Sequence, residues 1–485
     1  MSAEIDSTAA TVTEQALSRA HALASAFLAS LPERPVARLP SAEEMAAALD
    51  EALPESGSDP AAVLDQWFAR AERGITASPG PRFFGFVTGG VTPAALAGGV
   101  TPAALAGDWL ASAIDQNAGM WASSPAAAQT ELVVLRWLKE LFGLPEHWAG
   151  ALTSGATMAN LVGLISARQW AGRRLGFDAA ADGLAGQPAI CVISSSAIHL
   201  SAVKCLGTLG LGRRQLRQVA APGGSVDVAA MATLLRGIAG PVIIVGNAAE
   251  VNSGHFDDIA ALADLRDAHP GGAWLHVDGA FGLFASASPR FAHLCRGIDR
   301  ADSVASDAHK WLNVPYDSGF AFVRDAAILR EAFAADGAYV VGGSGWDPFT
   351  HVPEVSRRFR ALAAWCALKA FGRQGYRALV ERCVEHAAAF ARWVEATPGV
   401  ELMNPAALNI VCFRVVGQGG NEAANDQLNR TAVGLIQRDG RAFVTGTVWG
   451  GRAAIRAAFD NWQTTLDDVA LLQAAVKDVA TDLAS

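Results

Sequence analysis

Residues 273–280 read AWLHVDGA, and residues 306–311 read SDAHKW. The first is an apolar run that closes on Asp278. A carboxylate at the end of a buried strand is costly unless a cation or hydrogen-bond donors meet it. The small residues Gly279 and Ala280 then leave room for something flat. His276, inside the apolar run, reads as structural. Lys310 follows Asp278 by 32 residues, at the end of another strand-and-turn unit. Lysines are rarely buried without reason, and one with a lowered pKa is a natural Schiff-base former.

Working outward, short apolar runs alternate with helical patterns. AICVISS (189–195), PVIIVGN (241–247) and GFAFVRD (319–325) join 273–279 as predicted strands. MANLVGLISARQWAG (158–172) and VDVAAMATLLRGI (226–238) are predicted helices between them. This alternation predicts an α/β fold around a mostly parallel sheet covered on both faces. Ligands in such sheets sit beyond the carboxyl ends of the strands. Two more stretches stand there. Thr153-Ser154-Gly155-Ala156-Thr157 opens a helix, whose N–H groups and dipole suit an anion. No GK[ST] follows, so it is not a Walker loop. Ser194-Ser195-Ser196-Ala197-Ile198-His199 follows the first strand, and His199 could stack on a flat cofactor or handle protons. Taken singly, these stretches read first as an ordinary helix cap and a structural histidine.

The chain has 485 residues, 51% hydrophobic and 18% charged, which fits a large globular core and not a disordered chain. A net charge of −9 without a basic stripe argues against nucleic acid as a partner. The six scattered cysteines form no CxxC pair, which argues against structural zinc and fits a cytoplasmic setting. The apolar runs are too short to span a membrane. Residues 1–75 look helical, with starts at Ser41 and at 58–60. Helices are also expected over 108–119, 127–142 and from Arg357 to about Ala396. LNIVCFRVV (408–416), a helix through 426–440 and AAIRAAF (453–459) predict a small α+β C-terminal unit. The expected division is 1–107, 108–375 and 376–485.

TSGATMANL, His199, HVDGA and DAHKWLNVPYDSG occur in that order. Together they resemble the pyridoxal-phosphate-dependent group II amino acid decarboxylases, the family of aromatic L-amino acid decarboxylase and glutamate decarboxylase. SPAAAQTELVVLRWL (124–138) and SRRFRALAAW (356–365) also match, and the similarity runs from near Phe83 to the C-terminus. The resemblance implies a fold-type I pyridoxal 5'-phosphate enzyme. It implies decarboxylation of an L-amino acid with an aromatic or bulky apolar side chain, giving amine and carbon dioxide. Lys310 would carry the cofactor as an aldimine. Asp278 would pair with the pyridinium N–H, keeping the ring an electron sink. Ala280 would pack under the ring and His199 over it. Ala156, Thr157 and His309 would hold the phosphate. Asp307 stands where some relatives have Asn, and its role is open, since a carboxylate sits awkwardly beside a phosphate. No metal is expected. The resemblance also implies a homodimer, with the 1–107 helices exchanged and residues 345–353 reaching the neighbouring site. Phe86, Thr88, Trp346, Phe349 and His351 are the candidate substrate pocket. Phe83 and Phe84 read equally as core, and Arg82 is the one candidate for selecting an acidic substrate.

Two features depart from the family pattern. Aromatic amino acid decarboxylases carry a Tyr on a loop before the RRFR segment, which returns a proton to the carbon that lost its carboxylate. Counting back from Arg357 puts Pro348 or Phe349 there, and none of Tyr316, Tyr339 and Tyr376 coincides. Phe at this position is associated in the family with aldehyde synthases, so oxidative deamination is the alternative outcome, with His351 a candidate replacement acid. Aldol cleavage, transamination or elimination in the same cage is a further alternative. The second feature is GGVTPAALA, which occurs at 89–97 and again, letter for letter, at 98–106. Thr101-Pro102 is expected to start the helix that leads to Trp109, with nine residues becoming an extra loop beside the substrate entrance.

Overall fold

Side chains start the first helices. A computed structural model of the chain describes residues 2–36, 40–49, 59–75, 77, 80–84, 102–333, 346–417 and 421–484. Phe86, Thr88, Tyr339 and the first copy of the nonapeptide lie outside these residues. Helix α1 spans Ser2–Ser30 and α2 Ala42–Leu49. The Ser41 hydroxyl accepts the Glu44 N–H at 3.1 Å, and the Glu44 carboxylate accepts the Ser41 N–H at 2.7 Å, a reciprocal cap. Asp59 caps α3 (Pro60–Ala71) through the Ala62 N–H. Helix α4 runs from Pro102 to Ile114, so the second copy of the nonapeptide does open a helix. It starts earlier than the expected 108–119 and stops earlier, where Asp115 takes a positive φ of 43°. Helix α5 (Pro125–Phe142) is capped by Ser124 and ends on left-handed Gly143.

The central unit then alternates in chain order: β1 (Ala149–Thr153), α6 (Ala156–Leu175), β2 (Cys191–Ser195), α7 (Leu200–Thr208), β3 (Arg217–Val219), α8 (Val228–Arg236), β4 (Val242–Asn247), α9 (Ile259–Ala268), β5 (Ala273–Asp278), β6 (Ser303–Asp307), β7 (Gly319–Val323) and α10 (Ala326–Phe333). The seven-stranded sheet has the order β1-β7-β6-β5-β4-β2-β3. It is parallel except at β7, which runs antiparallel to both neighbours. Strands β4 to β7 are buried throughout, which is why they read as apolar runs and not as alternation. Along β4, Val242 and Ile244 face a layer formed by α5, α8 and α9, while Ile243 and Val245 face α6 and α7.

Helix α11 (Arg360–Ala396) carries the chain onward, kinked at Gly372, where φ is +60°. Beyond it lie β8 (Val400–Leu402), β9 (Ile410–Val415), α12 (Glu422–Asp439), β10 (Thr445–Trp449), β11 (Arg452–Ala458) and α13 (Leu466–Ala484). The four strands form an antiparallel sheet ordered β10-β11-β9-β8. Phe413, Val415, Ile455 and Phe459 pack with α11, α12 and α13, while Ile410 and Ala458 join the core of the large sheet. The second face therefore abuts the central unit. Strand β1 was not anticipated, and β6 only as the strand-and-turn unit before Lys310. AGALT and SVASD each carry a single β-branched residue, and their place is set by pairing with β7: a Cβ on Gly150 would lie 2.7 Å from the Ala321 carbonyl oxygen.

Candidate active site

Three strand ends and the start of α6 converge. Gly155 precedes α6 with φ +155°, and a Cβ there would stand 3.3 Å from Asp307 Oδ1 and 3.4 Å from His309 Cε1. A Cβ on Gly319 would lie 2.6 Å from the Gly155 backbone. The two glycines let the turn close over the end of β6. There the Asp307 carboxylate accepts the Ala156 N–H, pairs with Lys310 Nζ at 2.9 Å and lies 3.5 Å from His309 Nε2. Asp307 is thus the immediate counter-charge of Lys310. The next N–H groups of the first α6 turn have no carbonyl to reach within the helix.

His276 and Asp278, two residues apart, share the face covered by α6. Asn160 of α6 donates to Asp278 Oδ2 at 2.7 Å, and the Ala280 N–H reaches Asp278 Oδ1 at 3.1 Å. His276 is wholly buried. Its Nε2 lies 2.9 Å from Asn160 Oδ1 and its Nδ1 2.8 Å from Ser303 Oγ, which also accepts the Trp274 indole N–H. This network assigns the proton to Nε2. Burial pushes the His276 imidazole down to about 4, so it stays neutral. A Cβ on Gly163 would stand 2.5 Å from the ring, so that glycine makes the space for it. His276 therefore does more than fill the core. It orients Asn160, and through it Asp278.

His199 caps α7. Its Nδ1 accepts the Ser201 N–H at 3.3 Å and lies 2.7 Å from Ser201 Oγ, which in turn accepts from Asn160 Nδ2 at 3.2 Å. Burial holds its pKa below the ordinary histidine value. His309 donates from Nδ1 to the Ser318 carbonyl at 2.8 Å, stacks on Tyr316 with centroids 4.2 Å apart, and is likewise shifted down by burial.

Ala156, Thr157, His199, Ala280, Asp307, His309 and Lys310 line one cavity of about 720 Å³, and Asp278 stands beside it at the end of β5. The opposite wall was not anticipated. Thr445, Thr447 and Arg456 come from β10 and β11, and Glu250 and Asn252 from the loop after β4. The Arg456 guanidinium donates to the Val251 carbonyl at 2.8 Å. An arginine inside the apolar run AAIRAAF was the one available signal for this wall.

Trp346, Phe349 and His351 do not line the cavity of their own chain. Phe349 is buried, with its N–H on the Gly119 carbonyl at 3.0 Å. His351 packs edge-on against Trp346 and is pushed down to about 4 by burial. Phe83 and Phe84 are core: Phe83 stacks on Phe443 at 4.4 Å, and Phe84 packs on Phe459. Arg82 donates to the carbonyls of Pro32 and Arg34 and does not line the cavity.

The sequence model of the pyridoxal-dependent decarboxylase conserved domain matches residues 43–416. The chain belongs to that family. It is 30% identical over 473 residues to the aromatic-L-amino-acid decarboxylase of Bacillus atrophaeus, covering 93% of this chain and 92% of that one. It is 25% identical to the 4-hydroxyphenylacetaldehyde synthase of Rhodiola rosea, covering 95% and 93%. Among solved structures, the Oryza sativa TDC with PLP and tryptamine superposes with a TM-score of 0.88 at 25% identity, over 98% of each chain. This family member is a carboxy-lyase of amino acid metabolism that uses pyridoxal phosphate.

The pocket fits that group: the chain offers an amine on Lys310, a carboxylate on Asp278 with its donors already placed, and a glycine-cleared helix N-terminus for a phosphate. Among the described residues no cluster of three or more His, Cys, Asp or Glu side chains could hold a metal ion, and no helix is long and apolar enough to cross a membrane.

Proposed function

We propose that this decarboxylase converts an aromatic or bulky apolar L-amino acid to its amine and carbon dioxide, with Lys310 as the lysine that bonds the cofactor. The observation that carries the reading is the single network that ties Lys310, Asp307, Asp278 and His199 to the first turns of α6 and α7. When bound, pyridoxal phosphate supplies an aldehyde that joins amines and a ring that accepts the electron pair released as the carboxylate leaves. Asp278, held by Asn160 and the Ala280 N–H, would keep a proton on the ring nitrogen. Thr157, His309 and the α6 N-terminus would hold the phosphate, and His199 and Ala280 would hold the ring. His199, fixed through Ser201, orients the substituents of the substrate α-carbon. Because its Nδ1 accepts from Ser201, its Nε2 carries the proton that can be returned to that carbon.

A homodimer is part of the reading. Trp67 of α3 and Trp109, Leu110 and Ile114 of α4 leave apolar surface exposed, of the kind a second copy could cover. Sedimentation should give twice the chain mass.

The aldehyde synthase reading keeps one specific support. No tyrosine stands in 346–353, and the Rhodiola rosea relative is an aldehyde synthase. One experiment separates the outcomes: products from a panel of amino acids, by mass spectrometry, with and without oxygen. Carbon dioxide and amine in equal amounts support the decarboxylase. Aldehyde, ammonia and peroxide that require oxygen overturn it in favour of the synthase. Products that retain the carboxyl overturn both.

A further inference from the structure

Asp460 lies just past β11, wholly enclosed, and its Oδ2 has no hydrogen-bond partner. Its surroundings share that property. Asn409, whose backbone carbonyl accepts the Phe459 N–H at 2.9 Å, leaves both side-chain amide atoms unpaired. Thr445 Oγ1 and Arg456 Nε are unpaired as well, and these two residues face each other across the β10–β11 ladder. A buried polar atom without a partner costs on the order of 1–3 kcal/mol, and a charged one more. Other unpaired atoms are scattered through the interior, but here several, including both amide atoms of Asn409 and a carboxylate oxygen, gather in one layer.

The same segment carries the lysine-bearing turn. The Asn313 N–H reaches the Lys310 carbonyl at 3.1 Å, and Asn313 Nδ2 reaches the Asp460 carbonyl at 3.2 Å. The Trp462 N–H comes back to Asn313 Oδ1 at 3.4 Å. Asn313 holds a positive φ of 51° to make this stitch.

Charges reach Asp460 from each side. Lys310, from the turn after β6, and Arg456, from β11, both favour its carboxylate. Burial opposes them more strongly and pushes the carboxyl up to about 7. On α11, Cys383 faces it with a thiol driven up by burial and by Asp460 itself. Glu250 acts at one remove, by favouring the charged Arg456. An anion entering the cavity weakens the hold of the two cations on the carboxylate. That change favours the neutral carboxyl.

We propose that Asp460 is a positioning residue for cofactor loading: a buried carboxyl behind Lys310 that takes up a proton from solvent as the anionic cofactor enters, keeping the layer between the two sheets in charge balance. The proton goes onto Asp460 and no other bond changes there.

The test is calorimetric. Cofactor-stripped full-length protein is titrated with pyridoxal phosphate at pH 7, in buffers of different ionisation enthalpy, to count the protons exchanged. The cofactor's own ionisations contribute alike to wild type and to Asp460→Asn. Wild type should take up more, by up to about half a proton per chain, since a carboxyl with a pKa near the working pH begins half ionised. Equal proton counts in the two proteins overturn the proposal. A merely structural Asp460 would lower the unfolding midpoint and leave the count alone. Should Asp460→Asn not fold, infrared difference spectra of wild type decide: the protonated-carboxyl stretch must grow on loading, and its constancy overturns the proposal.

Discussion

The two walls of the cavity are built on opposite terms. On the α6 side, Asp278, Asn160, His276, Ser303 and His199 each have partners, and the chain of donors runs unbroken from the Trp274 indole to the Asp278 carboxylate. On the β10–β11 side, Thr445 Oγ1, Arg456 Nε, Asn409 and Asp460 Oδ2 are buried and unpaired. The first wall is preorganised, so its charges need no rearrangement when a ligand arrives. The second holds polar atoms whose partners or protonation must change with the occupant. A site that grips a cofactor permanently and exchanges substrates has use for both.

The comparison can be broken most sharply at Lys310. Lys310→Ala should cost about 10⁴-fold or more in turnover, and should abolish the absorbance band near ~420 nm expected of the loaded protein. A wild-type protein that never shows the band would sink the cofactor assignment altogether.

The rigidity of the first wall depends on a buried pair behind β1. Arg357 meets Glu131 through two hydrogen bonds at 2.9 and 3.0 Å, and also donates to the Leu152 and Ala118 carbonyls. Arg357→Ala strands the Glu131 carboxylate and should cost about 3–5 kcal/mol in denaturant unfolding. A loss under 1 kcal/mol would show that the wall does not lean on this pair.

His276 makes the same wall sensitive to acid. Its pKa is depressed from 6.5 to about 4, so its contribution is fully present above pH 6.5 and is lost as pH falls towards 4. Up to ~3 kcal/mol of stability should disappear across that window. His276→Gln should be less stable at pH 7 and flatter with pH. A variant as steep as wild type would assign the acid sensitivity elsewhere.

Gly163→Ala pushes a methyl into the His276 ring and should cost about 1–3 kcal/mol, with a weaker cofactor Kd as Asp278 shifts. Smallest of all, Arg456→Gln on the second wall should keep the Lys310 absorbance band while lowering kcat/KM about tenfold. If it abolished the band, the second wall would be part of the cofactor grip and the contrast between the walls would fail.

The first wall was legible because its residues come in contiguous runs. TSGAT, HVDGA and SDAHKW each put two or more functional residues at one strand end, so local sequence carries the geometry. Asn160 and Gly163 lie within the quoted helix, yet nothing in a linear reading says that one meets Asp278 and the other clears room for His276. The second wall was illegible for a simpler reason. Arg456, Thr445 and Asp460 are single polar residues in apolar surroundings, and only the pairing of β10, β11 and β9 places them opposite Lys310. The substrate candidates at 346–351 stand away from their own chain's cavity because a short turn folds them onto Gly119 and Trp121.

By itself, the sequence determined the α/β class and the helix start at Pro102, since periodicity and capping are local properties, while the cofactor followed from the resemblance of the strand-end motifs to a known family. Tertiary structure alone decided that Asp307 neutralises Lys310, that His276 aims Asp278 through Asn160, and that Asp460 is buried behind the lysine. The last two outcomes join residues about 116 to 150 positions apart, while the first needs the turn after β6 to fold a carboxylate back onto a lysine three residues on. Their energies depend on burial and on opposing partners, which no local pattern encodes.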